Sequence, residues 1–192
     1  MVKLHKSLEK IIFEEEQLSV WTLVKMVEIS KEFRTQEIMK CFFKKNISTS
    51  DFIEFMKFFP ENQNKLTQEK FLDLRPTAQA IKDLCLRTGY KWSKELEEAF
   101  LNAAPTIKDI AELLTYLKNV NTEKLWEKFE QSNSTFKELE YIIMNCRTLP
   151  IEKVLDTFLK GSPTLKEMEK MIYLCWNKNI EKLLEKYFSF TT

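Results

Sequence analysis

Few side chains in this chain could do chemistry. The sole histidine, His5, lies near one end of the sequence, where helices fray, and reads as a solvated side chain. With no second histidine a histidine-based zinc cluster is not expected, and a Ser-His-Asp triad would have to be built on this one terminal side chain, so neither is expected. Cys41, Cys85, Cys146 and Cys175 show no C-x-x-C spacing. They read as small, reduced core residues, which implies an intracellular, cytoplasmic setting. Carboxylate runs such as Glu14-Glu15-Glu16 and Glu97-Glu98 could serve general acid–base work. On helices such runs are solvated faces or partners of the first-turn dipole. Gly89 and Gly161, the two glycines, are too few for a loop that cradles phosphate. The expectation is a protein that is not an enzyme, with no cofactor and no metal.

The elements that carry these residues follow a period. Phe13, Phe42, Phe71, Phe100, Phe129, Phe158 and Tyr187 stand 29 residues apart. With 15 Phe and 5 Tyr in 192 residues, six further hits at a fixed phase arise on the order of once in a million, so an internal repeat is indicated. Six residues after each Phe comes a hydroxyl: Ser19, Ser48, Thr77, Thr106, Thr135 and Thr164. Each reads as a helix N-cap, and Asp51, Asp109, Glu138 and Glu167 three residues on complete capping boxes. Pro76, Pro105 and Pro163 precede three of the caps and disfavour helix in the residue before them.

Beyond each cap run three apolar registers on one helical face. They are Leu23, Phe52, Ile81, Ile110, Leu139, Met168; then Met26, Phe55, Leu84, Leu113, Ile142, Met171; then Val27, Met56, Cys85, Leu114, Ile143, Ile172. A second helix closes on the aromatic, with Ile38, Leu96, Leu125, Val154 and Leu183 four residues before it and Thr67 as the exception. Ser93 and Thr122 read as N-caps of second helices, and Pro150 as a first helical residue. Gly89, Asn119 and Asn145 sit where first helices end and left-handed backbone is accessible.

One amphipathic hairpin cannot bury its own face, so neighbours must stack. The predicted fold is all-α: a right-handed α-solenoid of six 29-residue helix-turn-helix repeats (19–47, 48–76, 77–105, 106–134, 135–163 and 164–192) in a single domain. An extra N-terminal helix over 1–18 caps it. The competing arrangement is an irregular helical bundle. No run of about 18 apolar residues is present, so no membrane span is expected. The opening segment is amphipathic but acidic, unlike a signal or transit peptide.

The plan resembles the helical-hairpin solenoids, the superclass of tetratricopeptide and pentatricopeptide repeats. The unit is shorter than the tetratricopeptide length of about 34 residues, and that family's Trp, Leu-Gly and Tyr signature is absent. A one-base-per-repeat reader needs recurring polar selectors. Here the register Thr22, Asp51, Ala80, Asp109, Glu138, Glu167 turns acidic, which would repel phosphate. The resemblance therefore transfers no binding residues.

Two functions remain. The first is a protein–protein interaction module, or a structural subunit of a larger assembly, that binds through the first helices. Residues just past the apolar stripe are Glu28, Ile29, Lys57 and Phe58 in the first two repeats. They become Leu86, Thr115, Tyr116, Met144, Tyr173 and Leu174 further on. Leu86, Tyr116, Met144, Tyr173 and Leu174 form the candidate partner site; the competing reading is that they widen the core. The alternative function is association with RNA or a ribonucleoprotein such as the ribosome. Repeat 19–47 holds six Lys or Arg against three Glu, and Lys40, Lys44, Lys45, Lys65 and Lys70 are the candidate phosphate contacts.

Overall fold

A computed structural model describes residues 18–62, 64–117, 122–176 and 180–191. Among them are twelve α-helices and no strand. In chain order they are α1 (Val20–Ile29), α2 (Gln36–Phe43), α3 (Thr49–Met56), α4 (Lys65–Asp73), α5 (Ala78–Thr88), α6 (Lys94–Asn102), α7 (Ile107–Tyr116), α8 (Glu123–Glu130), α9 (Phe136–Asn145), α10 (Ile151–Lys160), α11 (Leu165–Leu174) and α12 (Glu181–Thr191). Of the helix expected over 1–18 only Leu18 is described; Phe13, His5 and Asn119 lie outside the described residues.

Local chemistry sets the helix starts. The hydroxyls of Ser19, Ser48, Thr106, Thr135 and Thr164 each accept the backbone N–H three residues ahead, and Thr77 accepts that of Ala80 at 3.2 Å. Asp51, Asp109, Glu138 and Glu167 return the bond to the cap N–H, so two otherwise orphaned donors are satisfied at each start. Ser93 caps α6, and Asn64 with Thr67 forms a capping box on α4. Thr122 does not follow the pattern: with ψ at 24° its side chain makes no capping bond. Pro150 occupies the cap position itself, one residue before α10.

The helix ends differ from expectation in an instructive way. Gly89 has a left-handed φ of +66°. Asn145 instead ends α9 inside the helix and donates its side-chain amide to the Tyr141 carbonyl at 2.8 Å. The other left-handed residues are Arg75, Ala104 and Ser162, with φ of +50° or +51°. Each stands directly before Pro76, Pro105 or Pro163. Proline's ring excludes right-handed helix from the preceding residue, so the chain leaves the helix there through a region glycine would occupy more cheaply. Asn133 holds the same register without a following proline and has no positive φ.

The chain forms two compact units, Met1–Pro76 with Asp83–Lys91, and Thr77–Lys82 with Trp92–Thr192. In the first, α1 packs on α2 and α3. Short 3-10 turns at Lys31–Phe33 and Pro60–Asn62 stand 29 residues apart. Phe42 stacks on Phe55 at 3.9 Å, and Phe52 lies 5.1 Å from Phe71. In the second, α7 packs on α8 and α9, α8 on α10, α9 on α10 and α11, and α11 on α12. Trp92 meets Phe100 edge-on at 5.9 Å, and Trp126 meets Phe129 at 5.5 Å.

Phe42, Phe71, Phe100, Phe129 and Phe158 are all buried, and Tyr187 is half-buried. The three first-helix registers are buried throughout, apart from half-buried Met26 and Ile172. Thr67 is also buried. Its hydroxyl lies 2.9 Å from both the Asn64 carbonyl and the Tyr90 hydroxyl, which meets the requirement that a buried polar group be hydrogen-bonded. Cys85, Cys146 and Cys175 are buried, Cys41 is half-buried, and all four are free thiols. Burial pushes the Cys85 thiol up to about 12 and raises Cys146 as well. Neither is a thiolate nucleophile at neutral pH.

Candidate interaction surface

In the second unit, α7, α9 and α11 place their outward faces side by side. Ile107, Ile110, Ala111, Leu113 and Leu114 turn one side of α7 inward; the side bearing Lys108, Glu112 and Thr115 lies off that stripe by helical spacing, with Lys108 exposed and Glu112 and Thr115 half-buried. The apolar residues just past the buried stripe are open to solvent: Tyr116 is 64%, Met144 58% and Tyr173 83% exposed. Met144 and Tyr173 occupy one register on adjacent helices, and Tyr116 is one residue past that register on α7. Packed helices lie about 8–10 Å apart, so a strip crossing the three is roughly 20 Å long. Leu174 is half-buried. Leu86 is half-buried in the first unit. Sequence reasoning missed Trp176, 79% exposed just beyond α11. Its signal was present, since a tryptophan after the last apolar residue of a first helix has no counterpart in the other repeats.

A polar network lies on the same helices, and the sequence reading missed that too. The Lys82 ammonium sits 2.6 Å from Asp109 and 2.6 Å from Glu112. Tyr141 donates its hydroxyl to Glu112 at 2.8 Å, and Lys108 lies 3.9 Å above the Tyr141 ring centroid. Burial alone would raise Asp109 and Glu112, but hydrogen bonds from Lys82, Thr106 and Tyr141 outweigh it and hold both below their ordinary values. Burial alone would lower Lys82; its two carboxylate partners outweigh that and raise it. A lysine held this firmly as a cation is a poor general base or Schiff-base former. The network ties α5, α7 and α9 together.

At the N-terminal ends of the same helices, charge is arranged in rows. Lys108, Lys137 and Lys166 recur every 29 residues at the second position of α7, α9 and α11, and all are exposed. The acids beside them, Asp109, Glu138 and Glu167, accept the cap hydroxyl and cap N–H.

The candidate phosphate contacts lie in the first unit. Lys40, Lys44, Lys65 and Lys70 are exposed and Lys45 is half-buried. Lys65 faces Glu69 at 3.8 Å. Phe43, beside them, is half-buried, edge-on to Phe42 at 5.7 Å and stacked on Phe52 at 5.8 Å. Its ring is committed to neighbours rather than open for base stacking.

Glu97 departs from the solvated role expected of the Glu97-Glu98 pair. Glu98 is exposed and faces Lys124 at 4.0 Å, whereas Glu97 is 8% exposed. It occupies the register of Met39, Trp126 and Leu155, which turns it onto the packed side of α6. Its Oε1 and the indole N–H of Trp92 find no hydrogen-bond partner among the described residues. Leaving such a group buried costs about 1–3 kcal/mol. Glu97→Leu is therefore expected to stabilise the chain by about 1–2 kcal/mol, measured by denaturant unfolding at neutral pH. A loss of stability would show that the carboxylate is engaged.

Among the described residues, no group of three or more His, Cys, Asp or Glu side chains is placed to hold a metal ion, and no helix is long and apolar enough to cross a membrane. The chain matches no family model, no curated protein sequence and no solved structure.

Proposed function

We propose that this chain is a non-enzymatic interaction module that holds an apolar segment of a partner protein. In this reading its six helical hairpins stack as a right-handed α-solenoid with an N-terminal capping helix, and the first helices supply the binding surface. The observation that carries the reading is the exposure of Tyr116, Met144 and Tyr173 on three adjacent first helices. Exposed apolar side chains are ordinary singly and meaningful when they align. Tyr and Met suit such a surface because they offer large or adaptable contact area. The Lys108, Lys137 and Lys166 row would form a polar rim, as interfaces have. Packing of first helix on first helix and second on second within a unit supports the stacked arrangement.

Tyr116→Ala combined with Met144→Ala tests it. Both side chains are exposed, so the melting midpoint should change by no more than about 0.5 kcal/mol in equivalent stability. A photo-crosslinker at Tyr173 should capture a partner in the native cell that one at exposed Lys128 on α8 does not, and the double variant should lose that product. Equal crosslinking from both positions, or an undiminished yield in the double variant, would remove the strip as the site. The RNA-associated alternative draws on the exposed Lys40, Lys44 and Lys70. It requires binding that falls steeply with salt and that is abolished by changing those lysines to Gln.

A further inference from the structure

The first unit carries a cleft of about 310 Å³ lined by Lys31, Arg34, Phe58, Phe59, Pro60 and Glu61. It lies between the two 3-10 turns, the same register in two successive hairpins. Arg34 is fixed on two sides. Its Nε donates to the Val27 carbonyl at 3.0 Å, satisfying an orphaned acceptor at the end of α1. Its guanidinium also lies 5.1 Å from the Phe58 ring centroid. A guanidinium has five N–H donors. Among the described residues one is used and Arg34 makes no ion pair, although Glu61 lines the same cleft. The result is a half-buried, oriented fork with its outer donors unclaimed among the described residues, a second cation at Lys31, and an apolar wall of Phe58, Phe59 and Pro60.

We propose that this cleft binds a carboxylate carried on an apolar body. The guanidinium fork matches the two oxygens of a carboxylate. Two cations against one Glu61 leave a single net positive charge, which suits a monoanion better than a phosphate dianion. The volume equals about ten waters, enough for one aromatic or branched aliphatic group with its acid. Two sources offer this chemistry: the C-terminal residue of a peptide and a free apolar acid. The site is separate from the strip on α7, α9 and α11 and does not depend on that reading.

The full chain is titrated with N-acetyl-phenylalanine, 3-phenylpropanoate, the amide of each, and inorganic phosphate, followed by amide chemical shifts. Saturable shifts at residues 27–34 and 57–61 are expected with both acids. Each amide should bind at least about tenfold more weakly, the loss of a charge-assisted bond. Tighter binding of N-acetyl-phenylalanine assigns the cleft to a chain terminus; tighter binding of 3-phenylpropanoate assigns it to a free acid. Arg34→Gln should abolish the shifts. Because Arg34 also caps α1, two exposed positions keep the test independent of folding: Lys31→Gln should weaken and Glu61→Gln should tighten carboxylate binding, each by up to about fivefold. Acid and amide binding alike, phosphate binding more tightly than either acid, or no saturable shift would overturn the proposal.

Discussion

Phe100→Ala and Phe129→Ala are each expected to destabilise the chain by about 3–5 kcal/mol. Both rings are fully buried. Each closes a second helix and meets a tryptophan, Trp92 or Trp126, so truncation opens a cavity and also removes an edge-on aromatic contact. In a chain of this length that is a fall in melting midpoint of roughly 10 °C. A shift near zero would mean that these rings are not core. The distribution of damage is informative as well. In a stacked array each hairpin leans only on its neighbours. Phe129→Ala should therefore raise hydrogen exchange most in α7, α8 and α10, and least in α12. Uniform loss of protection would favour one cooperative bundle over the proposed solenoid.

Lys82→Met should cost about 3 kcal/mol at neutral pH, because removing one member of a buried ionic cluster leaves its partners uncompensated. The pH dependence separates this cause from lost packing. In the native protein Asp109 and Glu112 are held below their ordinary 3.8 and 4.5. The stability they contribute is present above those values and is lost as pH falls through the lower, folded ones. Lys82 is raised above 10.5. Its contribution is complete below that value and is lost only as pH rises through the folded pKa. Without the cation, Asp109 keeps only its Thr106 bonds and Glu112 mainly the Tyr141 hydroxyl to offset desolvation, so one should hold a proton more readily. The variant should then gain stability as pH falls toward about 4.5, while the native protein does not. Adding Asp109→Asn and Glu112→Gln to Lys82→Met should recover most of the loss. A deficit that stays constant between pH 4.5 and 7 would assign the effect to the lysine stem's packing.

Much of this architecture was legible because its causes are local. A hydroxyl reaches an N–H three residues ahead wherever the helix is placed, so Ser48 or Thr106 can be read as a cap without knowing its neighbours. Phe100 and Phe129 stood out because burial of large rings repeats at the helix-pair spacing. What escaped depends on contacts between elements. Lys82 sits in register with buried Ala111, and its acids come 27 and 30 residues later. A cation in an apolar register with carboxylates one repeat away is the signal that could have located the cluster. Thr67 broke the apolar pattern because Tyr90, 23 residues on, supplies its hydrogen bond. Thr122 looked like Ser93, yet its backbone does not adopt the extended conformation that aims a cap. The candidate strip was half legible: position past the stripe located Tyr116, Met144 and Tyr173, but whether such residues lie open or widen the core is decided by the neighbouring helices.

The Lys82 cluster also limits how the sequence can drift. A lineage that loses the lysine alone keeps two half-buried acids without their cation, and one that loses Glu112 alone also removes the acceptor of the Tyr141 hydroxyl. Asp109 is the most constrained of the four, since it serves both the cluster and the cap of α7. Positions 82, 112 and 141 should therefore covary as a set among descendants of this sequence, while position 109 stays Asp, or Asn where the cation is gone. Viable paths out of the cluster pass through a neutral residue at 112 first, because Lys82 still has Asp109 to answer it at that step.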